Sequence, residues 1–348
     1  PVYAVGGFVR DLLLGQRNSD VDVTVDGDGI LFAGTFAAEF GCRVKSHEKF
    51  GTAVIVFPDG FKIDVASTRL EYYVSPGALP TVERSSLKMD LYRRDFTVNT
   101  LAIALNSQSF GKLIDYFGAY RDLQAKVIRV LHNLSFVEDP TRVFRAIRFE
   151  QRLNFKIAKH TEDLIKNAVK MDFLVKLGGR RLLSELVQIL REKEPLQGIS
   201  RMATLGLLRF IHPSIELTPE LQAVLEEVRY VVSWFDLLYL ERPYDRWAVY
   251  FLALCELLSP EQFWATCTRL AVSENQREHL AEMRRQGEEL VGAMERKLAR
   301  QERLENSEIY FTLRGLPVEI LLYHMAKSGN PEIKRCISLY FTKLHGMQ

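Results

Sequence analysis

Two glycines and two aspartates near the start of the chain are the residues whose types and spacing could do chemistry. Gly6-Gly7 ends an apolar run, Val2-Tyr3-Ala4-Val5, just ahead of a helix-periodic set of Val9, Leu12, Leu13 and Leu14. Where no Cβ stands in the way, backbone N–H groups approach a ligand closely, and a helix N-terminus there, with Arg10, would attract a triphosphate. Asp20-Val21-Asp22-Val23-Thr24-Val25 alternates with period two, so on a strand Asp20, Asp22 and Thr24 share one face while the valines pack on the other. Two hard oxygen ligands of this kind can hold Mg²⁺ against nucleotide phosphates. A pair of such metals roughly 3.5–4 Å apart stabilises both the attacking and the leaving oxygen of an in-line displacement. A phosphate cradle joined to two metal-ready carboxylates is the equipment of nucleotidyl transfer. The plainer reading, an ordinary turn beside solvated aspartates, suffices for either motif alone and loses force for the two in succession.

Three further stretches could complete such a site. Asp64 lies on a strand-like run with Lys62 and Ala66 on its face, opposite Ile63 and Val65, and could be a third carboxylate. The connection from Thr68 to Asp90, with Tyr72-Tyr73, Pro76-Gly77, Pro80 and Arg84-Ser85-Ser86, reads as a long loop of the kind that serves as a lid. It leads into Arg93-Arg94-Asp95-Phe96-Thr97-Val98-Asn99, where Asp95 could cap a helix and the arginines offer planar donors to phosphate or base. In Glu138-Asp139-Pro140-Thr141-Arg142, Pro140 suits the first position of a helix, and Arg142, Arg145 and Arg148 then recur every third residue as one cationic stripe. A carboxylate at Asp139 can accept the exocyclic amine of adenine or cytosine while a guanidinium at Arg142 donates to the neighbouring ring acceptor. Such a pair prefers A and C over G and U. The structural alternative is Asp139 as a helix cap beside a surface arginine, and one residue can serve both ends.

The elements that must position these groups follow from periodicity. Up to about Ile114 strand-like and helical runs alternate: Thr52–Phe57 and Phe61–Val65 flank the turn Pro58-Asp59-Gly60, and Leu31–Phe40 reads as a helix. From Asp139 onward helical periodicity dominates, with interruptions such as Leu177-Gly178-Gly179. The segment Gln276–Leu304 predicts one long helix with a seam of Leu280, Met283, Leu290, Met294 and Leu298. Its charges (Arg284, Arg285, Arg296, Lys297, Arg300, Arg303) are read first as a solvated face and second as a surface for RNA. With 348 residues, 47% hydrophobic and 26% charged, the chain can bury two or three cores. A net charge of +2 leaves any nucleic-acid surface to local clustering. No apolar run reaches the ~20 residues of a membrane helix and no signal pattern opens the chain, so the default setting is cytoplasmic. Cys42, Cys255, Cys267 and Cys336 form no CxxC pair and have no histidine at ligand spacing, which argues against structural zinc and a disulfide framework. Pro1 stands directly before the first strand, as expected of a piece of something longer.

Taken together, Val5-Gly6-Gly7-Phe8-Val9-Arg10-Asp11-Leu12-Leu13-Leu14-Gly15, Asp20-Val21-Asp22, Arg93–Asn99 and Glu138–Arg142 with Arg145 and Arg148 resemble, in order, the motifs of the class II tRNA nucleotidyltransferase and bacterial poly(A) polymerase family. The resemblance implies an α+β fold: a polymerase-β-like nucleotidyltransferase head at 1–137, a helical neck with the nucleotide-selecting motif at 138–200, and a helical body and tail at 201–348 that binds tRNA. It implies Asp20 and Asp22 as Mg²⁺ ligands and catalytic residues, with Asp64 as a further catalytic candidate. Gly7, Arg10, Arg94, Asp139, Arg142, Arg145 and Arg148 would bind the nucleotide. Gly178–Leu186 resembles the family's later neck helix. The partners implied are tRNA and ATP, with no membrane or DNA partner; use of CTP as well and the oligomeric state are left open. Residues His47–Val54 resemble the tRNA branch, and the Gly-Arg/Lys-Arg/Lys-Phe signature of the poly(A) polymerases is not found in the head. The connection after Thr68 resembles the loop of enzymes that add the terminal A, and no His-Asp dipeptide of an HD phosphohydrolase occurs. The expected activity is completion of the tRNA CCA end, with AMP addition foremost. Poly(A) synthesis is the alternative within the class and a non-catalytic RNA-binding module the alternative outside it.

Overall fold

The alternation read in the first hundred residues is realised as a mixed sheet. The computed structural model describes residues 1–72 and 81–346, and the chain divides into two compact units, Pro1–Leu177 and Gly178–Gln348. The first runs β1 (Val2–Val5), α1 (Gly7–Leu13), β2 (Val21–Val25), α2 (Gly29–Phe40), β3 (Arg43–His47), β4 (Thr52–Val56), β5 (Lys62–Ser67), β6 (Arg69–Tyr72), β7 (Thr81–Arg84), α3 (Leu87–Tyr92), β8 (Ala102–Ala104) and β9 (Leu113–Ile114). It continues with α4 (Ala119–Gln124), β10 (Val127–Ile128), α5 (Ser135–Glu138), α6 (Thr141–Arg152), β11 (Lys156–Ile157) and α7 (Lys159–Lys170).

A seven-stranded sheet has the order β3-β4-β5-β2-β1-β8-β9, antiparallel throughout except where β2 and β5 run parallel. That parallel pair sits at the centre, so its residues must be covered on at least one face. Val23, Val25, Ala53, Ile55 and Val65 are buried against Ala33 of α2, which is what the apolar member of each alternating pair requires; full burial of one such side chain is worth about 1.5–3 kcal/mol. Asp28 caps α2 by accepting the Leu31 N–H at 3.0 Å. The opposite face carries a second cluster, Val5, Leu87, Leu91 and Ala102, beneath α3. Its coverage leaves the ends of β2 and β5 that bear the aspartates open.

One expectation changes here. The connection from Thr68 to Asp90 is not a plain loop, because β6 and β7 pair antiparallel with Arg69 opposite Arg84 and α3 begins at Leu87. The Pro- and Gly-rich centre dominated the sequence reading and hid the alternation in Arg69-Leu70-Glu71-Tyr72 and Thr81-Val82-Glu83-Arg84. Tyr73, Pro76, Gly77 and Pro80 lie outside the described residues.

The second unit is helical: α8 (Gly179–Leu190), α9 (Pro195–Thr204), α10 (Pro219–Asp236), α11 (Arg246–Leu254), α12 (Pro260–Arg269), α13 (Glu274–Ala299), α14 (Asn306–Leu313), α15 (Val318–Lys327) and α16 (Pro331–Leu339). The predicted neck helix is α8. A Cβ added at Gly179 would sit 2.0 Å from the Arg269 carbonyl oxygen, so this close packing of the α8 start on the end of α12 needs glycine. The long helix α13 forms as predicted, but its buried seam is Arg284, Gly287, Val291 and Met294; of the expected row only Met294 is buried, and Leu280, Met283, Leu290 and Leu298 are half-buried. Arg284 can be buried because its guanidinium donates to the Leu258 and Glu256 carbonyls at 3.0 and 3.3 Å and lies over the Phe263 ring. Periodicity scored it as a surface charge for want of those partners. Among the described residues no helix is long and apolar enough to cross a membrane.

Candidate active site

β2 and β5 place the carboxylates. Asp22 stands opposite Asp64 in the parallel register, so the two share the sheet face away from α2, while their neighbours Val23 and Val65 belong to the core. Asp20 immediately precedes β2 and is exposed, Asp22 is half-buried and Asp64 is exposed. Burial pushes the Asp22 carboxyl up to about 6, with Asp20 and Asp64 adding to the rise and Arg94 opposing it. Asp64 is raised as well, by burial and then by Asp20. Carboxylates gathered closely enough for Asp20 to act on both Asp22 and Asp64 form a spot where a cation is welcome.

The glycine that the geometry requires is Gly6. Its φ is +70° and an added Cβ would lie 2.7 Å from Arg94 Nη1 and 3.5 Å from Asp22 Oδ2. At Gly7, the glycine singled out by the motif, a Cβ would make only ordinary contacts, 3.5 Å to Arg10 Nη2 and 4.0 Å to Asn18 Nδ2. Arg94 thus lies over the Gly6 backbone beside the carboxylates. Its Nη2 donates to Asp90 Oδ2 at 3.2 Å, and its Nε is buried with no acceptor among the described residues. Asp90 is fully buried and also takes two hydrogen bonds from Arg93, at 2.8 and 3.1 Å. Burial alone would raise it, but Arg93 and Arg94 outweigh that and hold it below the usual carboxylate range.

Arg10 turns inward. Only 3% exposed, it donates through Nε to Asp11 Oδ1 at 2.7 Å and through Nη1 to Asn99 Oδ1 at 2.6 Å, so its donors serve the protein and not an open phosphate pocket. Asp95 corrects another expectation: it caps no helix. Its Oδ1 accepts from the Phe96 N–H and from Asn99 Nδ2 at 2.8 and 2.9 Å, and its Oδ2 from Arg145 at 2.6 and 2.9 Å. Burial pushes against ionisation there, yet Arg145, Asn99 and Arg142 bring the carboxyl down to about 2.

Just ahead of α6, Asp139 turns its carboxylate onto the first helical residue, Oδ1 accepting from the Thr141 N–H at 3.0 Å and the Thr141 hydroxyl at 2.6 Å; the residue at the cap position is Pro140. Arg142 is 4% exposed; its Nη2 donates to the Arg93 carbonyl at 2.8 Å. Its Nη1 lies 4.0 Å from Glu138 Oε2 and is buried without an acceptor among the described residues. The stripe is therefore largely internal: Arg145 pairs with Asp95, and the guanidinium carbons of Arg10, Arg145 and Arg148 lie 5.3, 5.5 and 5.5 Å from the Phe149 ring centre. A ring face that attracts cations eases their burial together.

Among the described residues no group of three or more His, Cys, Asp or Glu side chains is placed to hold a metal ion. The pair Asp20 and Asp22 nonetheless suits a hard divalent cation, since Mg²⁺ ordinarily takes one or two carboxylates and completes its shell with water and substrate phosphates. Asp11, Asn18, Asp90 and Asn99 escaped the sequence reading as site residues. Asp11 and Asn99 stand inside the motifs quoted, whereas nothing in the sequence marks Asn18.

A mixed sheet that presents neighbouring carboxylates beside a glycine turn, with arginines from a following helix, defines a nucleotidyltransferase head. Residues 2–129 match the Poly A polymerase head domain and residues 154–218 the probable RNA and SrmB-binding site of polymerase A. The chain is 70% identical, over its whole length, to the A-adding tRNA nucleotidyltransferase of Geobacter sulfurreducens. To the A-adding tRNA nucleotidyltransferase of Aquifex aeolicus it is 38% identical over 98% of its length. It spans 39% and 40% of those two relatives. A solved CCA-adding enzyme in an apo form superposes with a TM-score of 0.86 at 40% identity, covering 99% of this chain and 80% of that one. The chain belongs to the family of tRNA nucleotidyltransferases and bacterial poly(A) polymerases.

Proposed function

We propose that this chain carries the A-adding activity of a tRNA nucleotidyltransferase, transferring AMP from ATP to the 3′ end of tRNA, with CTP a second candidate donor. The 3′-hydroxyl oxygen attacks the α-phosphorus, a new P–O bond forms, the bond to the β-phosphate bridging oxygen breaks, and pyrophosphate leaves while the hydroxyl proton passes to solvent. The observation that carries the reading is the shared face of Asp22 and Asp64, with Asp20 near enough to act on both, beside Gly6 and Arg94. The names of the two relatives support A addition in particular. Asp20 and Asp22 would hold a divalent metal, Mg²⁺, and when bound such an ion lowers the cost of charge on the attacking and leaving oxygens.

In this reading Gly6 and Gly7 let backbone approach the triphosphate, and Arg94 meets its charge. Arg10 acts from behind by fixing the turn through Asn99. Asp139 accepts the exocyclic amine of the base and the spare Nη1 of Arg142 donates to its ring acceptor, with Arg145 and Arg148 near sugar or phosphate. Residues 138–200 serve as the neck that presents the base-reading groups to the head at 1–137, and 201–348 bind tRNA. A tRNA substrate goes with a cytoplasmic setting. The test offers tRNAs ending before C, after one C and after CC, with ATP or CTP singly. A single AMP added to the CC-ended tRNA, and lost in Asp20→Ala, is the expected result. Long A-runs would favour poly(A) synthesis, and no pyrophosphate release at all would favour a binding module.

A further inference from the structure

Asp20 stands outside the ladder of β2, which begins at Val21, so sheet hydrogen bonds do not pin its backbone. A side chain does: Asn18 Oδ1 accepts the Asp20 N–H at 2.8 Å. The same amide donates through Nδ2 to Asp11 Oδ2 at 2.8 Å. Because a backbone N–H only donates and an ionised carboxylate only accepts, the orientation of the Asn18 amide is fixed by its partners. Asp11 in turn holds Arg10, Arg10 holds Asn99, Asn99 holds Asp95, and Asp95 holds Arg145 of α6, at 2.7, 2.6, 2.9 and 2.6 Å. Asp11 and Asp95 accept from both sides, Arg10 donates to both sides, and each asparagine accepts on one side and donates on the other; Asp11, Arg10, Asn99 and Asp95 are all buried, where a broken link costs more than it would in water.

We propose that Asn18 is a positioning residue: it hangs the metal-holding Asp20 on the buried chain Asp11–Arg10–Asn99–Asp95–Arg145, so that the base-reading helix and the carboxylate strand are held in one register. This rests on the proposed nucleotidyl transfer for its consequence and on geometry alone for its existence. Asparagine is the residue type that can accept from one neighbour and donate to the other at this reach. Aspartate would set a carboxylate against Asp11, and alanine would leave the Asp20 backbone untethered.

Two measurements on the full chain test the idea. Hydrogen exchange of the Asp20 N–H should quicken about tenfold or more in Asn18→Ala. It should also quicken in Asn99→Ala, four links away, with the sheet amides of Val23 and Val65 unchanged. Exchange at Asp20 that ignores Asn99→Ala overturns the relay, whether or not the protein proves to be an enzyme. In AMP transfer to CC-ended tRNA, Asn18→Ala and Asn18→Asp should each lower kcat about tenfold or more with KM for ATP within about threefold. The exchanged pair Asn18→Asp/Asp11→Asn, which restores one donor facing one acceptor, should recover kcat over Asn18→Asp alone. A fall in thermal stability with no recovery in the exchanged pair would mark Asn18 as merely structural and sink the proposal. Wild-type inactivity, by contrast, would refute the functional reading and leave the exchange experiment to decide the relay.

Discussion

Gly6 shows how much can rest on one residue. At φ +70°, with Arg94 Nη1 only 2.7 Å from where a Cβ would stand, Gly6→Ala adds the roughly 1–2 kcal/mol of left-handed backbone strain and displaces the cation beside Asp22. We expect AMP transfer to fall by more than about tenfold in that variant, whereas Gly7→Ala, with ordinary contacts, should fold and retain measurable transfer. Side-by-side kinetics with circular-dichroism melting would check the contrast. Arg142 makes a different demand. A planar fork is what lets it grip the Arg93 carbonyl with Nη2 while leaving Nη1 for the proposed contact to the base, and lysine offers no such second donor at a fixed angle. Arg142→Lys should therefore erode the preference for ATP over GTP and UTP by about 10–100-fold, the worth of one bidentate base contact, read as ratios of kcat/KM.

At the scale of elements, α6 and the turn before β8 are joined by a partly buried ion pair, Asp95 with Arg145, and this gives a signed pH dependence. The folded-state value for Asp95 lies near 2, below the ~3.9 of an unfolded aspartate. Its contribution is hence fully present above about pH 4 and is lost as pH falls through 4 towards 2, on the order of 2 kcal/mol in all. Asp95→Asn should flatten the loss of stability between pH 4 and pH 2, measured by urea unfolding at successive pH values. An unaltered slope would mean that other carboxylates govern acid unfolding. In the helical unit, Gly179→Ala meets a carbonyl oxygen 2.0 Å away; backbone must shift, and we expect a loss of thermal stability with no base-selectivity change.

For the whole molecule the issue is how a chain of net charge +2 would take hold of the proposed tRNA. Internal pairing consumes many cations: Arg284 is buried on carbonyls, Arg285 pairs with Glu282 and Glu289, and Lys297 with Glu308. Near the end of α13, Arg296, Arg300 and Arg303 are exposed, with no carboxylate within ion-pair distance among the described residues. They are the members of the predicted RNA-facing set still available for phosphate. Replacing all three with alanine should weaken binding across tRNA sequences alike and reduce the slope of log affinity against log salt, by roughly 0.7–0.9 for each phosphate that the protein no longer neutralises. A salt titration of the full chain checks this, and an unchanged slope would remove α13 from the interface.

Much was legible before any coordinates. Period-two alternation committed Asp22 to the polar side of a strand because the flanking valines had to find a core, while Asp20, expected on the same strand, falls just ahead of it; Pro140 marked the start of α6 within a residue. Local pattern could reach that far because each inference needed only neighbours in the chain. It failed wherever the deciding partner lay far along it. Arg284 looked like a solvated charge until carbonyls 26 and 28 residues away came within reach, Arg10 looked free until Asn99 met it 89 residues on, and Asp95 looked like a cap until α6 delivered Arg145. Residue types and their order sufficed to state the chemistry. Which cations are spent inside and which are left for a ligand was decided by tertiary structure, since only packing determines whether a charge is paired before the substrate arrives.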